Sequence, residues 1–194
     1  MTHAFFALIS RMKNISRWAL MRNSSPENVQ EHSHMTAVLA HALAVIRRDV
    51  FGVACDPGAA ATAALFHDAT EIFTGDMPTP VKYLYAELTS AYRLAEAEAE
   101  RRLVAQLPAE LQATYEPLIA GGDDDIRDLV KAADKLSAYI KCLEEERAGN
   151  REFRQAREQT RAKLESLEMP EVAYFIEHFL KAFELTIDEI NTEN

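Results

Sequence analysis

The residues with the clearest chemical potential are His67 and Asp68, adjacent within Ala64-Leu65-Phe66-His67-Asp68-Ala69-Thr70-Glu71. An imidazole beside a carboxylate, one turn before a glutamate in an otherwise apolar run, is costly unless paired or bound to a cation. His32 and Asp134 lie in similar apolar helical surroundings. Together these four give the order His…His-Asp…Asp. Two imidazoles and two carboxylates suit Zn²⁺, Mn²⁺, Fe²⁺ or Co²⁺ better than a thiophilic ion. Both ligand types can bind near neutral pH without a thiolate.

Glu71 follows His67 by four residues and Asp68 by three, so one helical face can carry all three. That makes Glu71 the first candidate for proton transfer. Asp76 is the second acid, in a stretch restrained by Gly75, Pro78 and Pro80. Arg17 offers a planar fork suited to a phosphate, which lysine does not reproduce. Trp18, the only tryptophan, is its neighbour. Taken singly, His32 is most simply a core histidine, Arg17 a surface ion-pair residue and Trp18 a packing anchor. Lys82 and Lys135 are further candidate phosphate contacts.

These side chains need long helices to position them, and the pattern is helical almost throughout. The periodicity predicts helices over residues 4–13, from Ser24-Ser25-Pro26 onward, and over 57–73 behind Asp56-Pro57. Others are predicted over 81–106, 108–119, 126–148, 150–167 and 171–190. Arg17, Trp18 and Arg22 fall in a loop over 14–25. Val29, His32, Thr36, Leu39, Leu43 and Ile46 recur at helical spacing, which puts His32 on an inward stripe. Asp123-Asp124-Asp125 lacks the spacing of a calcium loop and reads as a helix cap. Glu144-Glu145-Glu146 and the series Glu96, Glu98 and Glu100 read as solvated faces. Tyr174, Phe175, Phe179 and Phe183 read as core or dimer interface.

Composition bounds the remainder. The 194 residues, 48% of them hydrophobic and six glycine, fit one packed all-α domain spanning 1–194. A net charge of −10 argues against nonspecific nucleic-acid binding, which needs clustered Lys and Arg. Cys55 and Cys142 read as two reduced thiols, implying a cytoplasmic protein. The N-terminus reads as a first helix rather than a signal peptide, and no apolar run is long enough to span a membrane.

Five stretches go further: Arg17-Trp18; Glu31-His32-Ser33; His67-Asp68-Ala69-Thr70-Glu71; Thr74-Gly75-Asp76-Met77-Pro78-Thr79-Pro80-Val81-Lys82-Tyr83; and Tyr139-Ile140-Lys141-Cys142-Leu143-Glu144-Glu145. With the order His…His-Asp…Asp, they resemble the bacterial 5′-deoxynucleotidase branch of the HD-domain metal-dependent phosphohydrolases, over nearly the whole chain. The resemblance implies an HD-type helical bundle with additional C-terminal helices and a cytoplasmic homodimer. It implies one divalent ion on His32, His67, Asp68 and Asp134, with Glu71 and Asp76 handling water and protons. It also implies that Arg17, Trp18, Asp76 and Lys82 bind a deoxyribonucleoside 5′-monophosphate. An indole against C2′ would leave room for hydrogen but not for hydroxyl.

Two alternatives remain at this point. Another HD hydrolase could act on triphosphates, alarmones or cyclic nucleotides, but dinuclear HD enzymes need extra histidines and none lies between His67 and Asp134. A catalytically silent nucleotide-binding regulator would gain nothing from keeping Glu71 and Asp76 beside a dianion.

Overall fold

The computed structural model describes residues 2–82 and 84–192. Tyr83, the last residue of the 74–83 motif, lies outside the described residues, as do Met1, Glu193 and Asn194. Short α1 (Phe5–Ile9) tightens into a 3-10 turn (Ser10–Asn14). After a loop come α2 (Val29–Asp49), α3 (Pro57–Phe66), α4 (Glu71–Thr74), α5 (Thr79–Lys82), α6 (Ala86–Val104) and α7 (Ala109–Ile119). Then follow α8 (Asp124–Arg147), α9 (Arg154–Glu165), α10 (Pro170–His178) and α11 (Ile187–Thr192). The all-α expectation holds, and the single isolated β-bridge among the described residues joins Ser16 to Asn28.

The main core is formed where α2, α3 and α8 meet. Helix α3 is alanine-rich, and Ala60, Ala63 and Ala64 are buried, so small side chains let it approach α2 and α8 closely. Leu39 and Leu43 of α2 pack there with Leu129, Leu136 and Ile140 of α8. A second cluster joins Phe5, Met12, Val29, Ala69, Leu103, Leu107 and Ile119. Ala69 belongs to this second cluster and Ala64 to the first, so His67 and Asp68 lie at the junction between the two.

The structure moves several expected boundaries. Helix α2 starts at Val29, not at Ser24. Asn28 accepts the Glu31 N–H at 3.0 Å while Glu31 accepts the Asn28 N–H at 3.1 Å, a reciprocal cap worth about 1 kcal/mol. The N–H groups of Ser24 and Ser25 are instead taken by the Glu145 carboxylate. Expected helix 57–73 opens as foreseen, with Asp56 accepting from Gly58 and Ala59, but it stops at Phe66. Beyond it the bonds become i to i+3: Ala69 N to Phe66 O, Glu71 N to Asp68 O and Phe73 N to Thr70 O, each 3.0 Å.

The expected 81–106 helix is interrupted because the Lys82 carbonyl accepts from the Thr89 hydroxyl at 2.8 Å and Tyr85 is extended. At the C-terminus, a reciprocal bond pair between Thr186 and Glu189 restarts the chain as α11. Asp123 caps α8 as foreseen, accepting from Ile126 at 2.9 Å. The acidic run 144–146 is not a solvated face throughout, because Glu145 is only 1% exposed. No helix among the described residues is long and apolar enough to cross a membrane.

Candidate active site

Helix α2 supplies His32, the turn after α3 supplies His67 and Asp68, and α8 supplies Asp134. Packing of these elements brings all four together. His32 Nε2 lies 3.0 Å from Asp134 Oδ1 and 3.6 Å from Asp68 Oδ2, while His67 Nε2 lies 3.0 Å from Asp68 Oδ2. Ligand atoms of His32, His67 and Asp68 fall within 4.8 Å of one another.

The second nitrogen of each ring is already engaged. His67 Nδ1 donates to the Ala64 carbonyl at 2.7 Å, which leaves the lone pair of the neutral ring on Nε2. His32 Nδ1 lies 3.2 Å from the Ser137 hydroxyl. Buried His67 Nε2 faces the Asp68 carboxylate and has no other partner. Ring nitrogens fixed from behind and aimed at two carboxylates are what a divalent transition-metal ion requires. Burial alone would depress the His67 pKa, but the Asp68 and Asp134 charges and the Ala64 carbonyl raise it to about 9. The field that favours a proton there also favours a cation, and the donor set fits the expected ion.

Two further acids adjoin this cluster. In a turn closed by i to i+3 bonds, side chains three apart eclipse, which aligns Asp68 and Glu71 more closely than an α-helix would. Glu71 Oε2 is buried without a hydrogen-bond partner. Burial, then Asp68 and Asp76, push its pKa to about 10 against the opposing charge of Arg17. Gly75, at φ 72°, lets the chain leave α4 in a conformation costly for other residues and delivers Asp76 to the same place. Burial raises the Asp76 pKa, opposed by Arg17 and by the backbone N–H of Trp18.

Arg17 and Trp18 sit on a loop closed at its neck by Arg17 N to Glu27 O and Val29 N to Ile15 O, both 3.0 Å. Arg17 Nε is 3.7 Å from Glu27 Oε2, and buried Arg17 Nη1 has no hydrogen-bond partner. Trp18 Nε1 donates to the same Glu27 oxygen at 3.0 Å, and its ring centroid lies 5.2 Å from that of Phe153. The far side of the loop is tied to α8 and the turn after it. Glu145 accepts from Ser24 N, Ser25 N, Lys141 and Asn150, while Asn150 also donates to the Arg22 carbonyl at 2.7 Å. Lys82 is placed on the flank, where its ammonium pairs with Glu96 at 2.9 Å and lies over the Tyr92 ring.

Glu27, Ser137 and Asn150 were not singled out from sequence, and Lys141 and Glu145 were given no role in the site there. A signal for three of them exists: Ser137, Lys141 and Glu145 recur every four residues on the inward face of α8, a polar column where apolar residues are expected. Glu27 and Asn150 lie in loops and carry no such periodic mark.

A family model described as 5′-deoxynucleotidase YfbR-like matches residues 4–183. A 5′-deoxynucleotidase of Shewanella oneidensis is 48% identical over 193 residues, covering 98% of each chain. One of Vibrio cholerae is 47% identical over 189 residues, covering 96% of this chain and 97% of its own. Among solved structures, an HD-domain phosphohydrolase from Listeria innocua matches at TM-score 0.81 and 25% identity over 99% of both chains. A cyanophage HD phosphohydrolase bound to dA and one catalytic Zn²⁺ ion shares the fold at TM-score 0.65 and 22% identity, covering 90% of this chain and 95% of its own.

Proposed function

The chain belongs to the YfbR-like 5′-deoxynucleotidase family, and from that membership we propose that it hydrolyses deoxyribonucleoside 5′-monophosphates to deoxynucleosides and inorganic phosphate. The observation that supports this reading is the convergence of two imidazole Nε2 atoms and two carboxylates near a guanidinium whose buried Nη1 is unpaired. We assign His32, His67, Asp68 and Asp134 to one divalent ion: Co²⁺, Mn²⁺, Zn²⁺ or Fe²⁺. When bound, the ion supplies positive charge for the phosphoryl oxygens and acidifies water.

The chain's own groups do the rest. Arg17 takes the phosphate through the edge of its fork not facing Glu27. Glu71 and Asp76 share the proton work: one orients and deprotonates the attacking water, and the other returns a proton to the departing 5′-oxygen. Both acids are raised, Glu71 to about 10, first by burial and then by the Asp68 and Asp134 charges that act on both. Close acids in unequal surroundings can divide acid and base roles between them. Asp76 also touches the nucleotide beside Trp18, and Lys82 approaches from the flank if its pairing with Glu96 opens. Trp18 lies against the sugar and crowds a 2′-hydroxyl. We place the protein in the cytoplasm as a homodimer joined through C-terminal helices, where Phe179 is exposed.

The direct test is phosphate release from deoxyadenosine and adenosine 5′-monophosphates, side by side, with chelated protein re-supplied with Co²⁺, Mn²⁺ or Zn²⁺. The expected outcome is metal-dependent release from the deoxy substrate alone. Folded, metal-loaded protein that releases phosphate from neither refutes the assignment.

A further inference from the structure

We propose that Glu27 is a positioning residue for sugar discrimination, its carboxylate fixing the Trp18 indole relative to the Arg17 guanidinium. The inference rests on reading Arg17 and Trp18 as the nucleotide-binding pair. One oxygen, Glu27 Oε2, accepts from Trp18 Nε1 at 3.0 Å and stands 3.7 Å from Arg17 Nε. The Glu27 carbonyl also accepts the Arg17 N–H at 3.0 Å. Main chain and side chain of this residue therefore hold both neighbours at once.

The backbone of Trp18 shows why a side-chain fastening is needed. Its φ of 57° is left-handed, a conformation that costs a bulky residue energy and persists only where surroundings enforce it. Its carbonyl accepts from Met21 N at 2.9 Å and Asn23 Nδ2 at 3.3 Å. These contacts fix where the Cβ leaves the chain, but not the indole torsions. The Phe153 ring, tilted by 57°, restrains the indole by packing, which is non-directional. The N–H to carboxylate bond is directional and selects one ring orientation. Telling a hydrogen from a hydroxyl at one carbon demands a wall held to about 0.5 Å. On the Arg17 side, Glu27 occupies the Nε edge of the fork, which turns the remaining donors away from it.

Because Trp18 is the only tryptophan, its fluorescence anisotropy decay reports on this residue alone. Glu27→Ala should give the indole fast local motion that wild type lacks, and the deoxy-to-ribo ratio of kcat/KM should fall about tenfold, the worth of one charged hydrogen bond. Glu27→Gln keeps an acceptor for the indole N–H, so Trp18 should stay immobile and most of the ratio should survive while KM rises through Arg17. Glu27→Asp withdraws the acceptor by one methylene and should mobilise Trp18, giving the same readout if Glu27→Ala does not fold. An indole as immobile in Glu27→Ala or Glu27→Asp as in wild type overturns the proposal whatever the activity. A freed indole with an unchanged ratio overturns the specificity role. Trp18→Ala measured alongside tells the two failures apart, because an unchanged ratio there means that Trp18 itself does not read the sugar.

Discussion

Replacing Glu145 with alanine should destabilise the protein by about 3–5 kcal/mol, the usual cost of removing one partner from a buried ion pair. Glu145 is 1% exposed and Lys141 5% exposed. The carboxylate accepts from the Lys141 ammonium, from Asn150 Nδ2 at 2.8 Å, and from the N–H groups of Ser24 at 2.8 Å and Ser25 at 3.1 Å. Without it, Lys141 keeps only the Ser25 carbonyl among these contacts, and two backbone N–H groups lose their acceptor.

The same contacts set the titration: burial alone would raise the Glu145 carboxyl, but its donors hold it down at about 2, against an ordinary value of 4.5. Because the folded value lies below the unfolded one, this stabilisation is complete above about pH 5 and disappears as pH falls towards about 2. Against a total stability of about 5–15 kcal/mol the loss is large, and it should lower Tm by about 10 °C in a chain of this length. Urea unfolding followed by far-UV circular dichroism, at pH 7 and at pH 3, measures both effects. Wild type and variant should differ widely at pH 7 and by clearly less at pH 3. A pH 7 difference under about 1 kcal/mol, or one that does not shrink in acid, refutes the reasoning. Since these contacts tie down the loop carrying Arg17 and Trp18, KM for the nucleotide should rise in the variant under conditions where it remains folded.

Asp68→Ala should lose bound metal and activity together, read by elemental analysis of dialysed protein alongside phosphate release; normal activity in metal-depleted variant removes Asp68 as a ligand. Glu71→Ala should retain metal and nucleotide but lose about 10²–10⁴-fold in turnover, the usual worth of a positioned acid or base. Turnover near wild type in that variant would exclude the proton-transfer role.

How far the sequence was legible depended on whether a feature was periodic. His32, His67, Asp68 and Asp134 stood out because each interrupts an apolar helical stretch, and packing of α2, α3 and α8 brings them to one place. The break after Phe66 was not legible. Residues 66–73 have no proline, and the only change is from i to i+4 towards i to i+3 bonding, which leaves little compositional trace. The start of α2 was misplaced because Ser24-Ser25-Pro26 and Asn28 with Glu31 are both valid start signals. A carboxylate 120 residues downstream, Glu145, engages the Ser25 N–H and removes the first. The same long-range contact explains why the 144–146 run looked solvated: local charge density cannot reveal that one of three glutamates turns inward to meet a lysine and two backbone amides.

The electrostatics of the pocket also set the order in which it can be filled. Asp68, Asp76 and Asp134 all act to raise the acid form of Glu71, and Arg17 is the cation that opposes them. A phosphate dianion entering that field before a divalent ion meets the Asp68 and Asp134 carboxylates, offset only by the proton that they hold on His67 and by a guanidinium already shared with Glu27. Like-charge juxtaposition costs several kcal/mol, enough to weaken binding by about a hundredfold or more. Nucleotide affinity itself, not turnover alone, should therefore require the metal. Titration calorimetry with deoxyadenosine 5′-monophosphate on Glu71→Ala, in which hydrolysis is suppressed, separates binding from chemistry. The expected result is measurable affinity with Co²⁺ or Mn²⁺ present and a loss of about a hundredfold after chelation. Equal affinity in both states would mean that Arg17 suffices to hold the phosphate and that the carboxylates are screened in some other way.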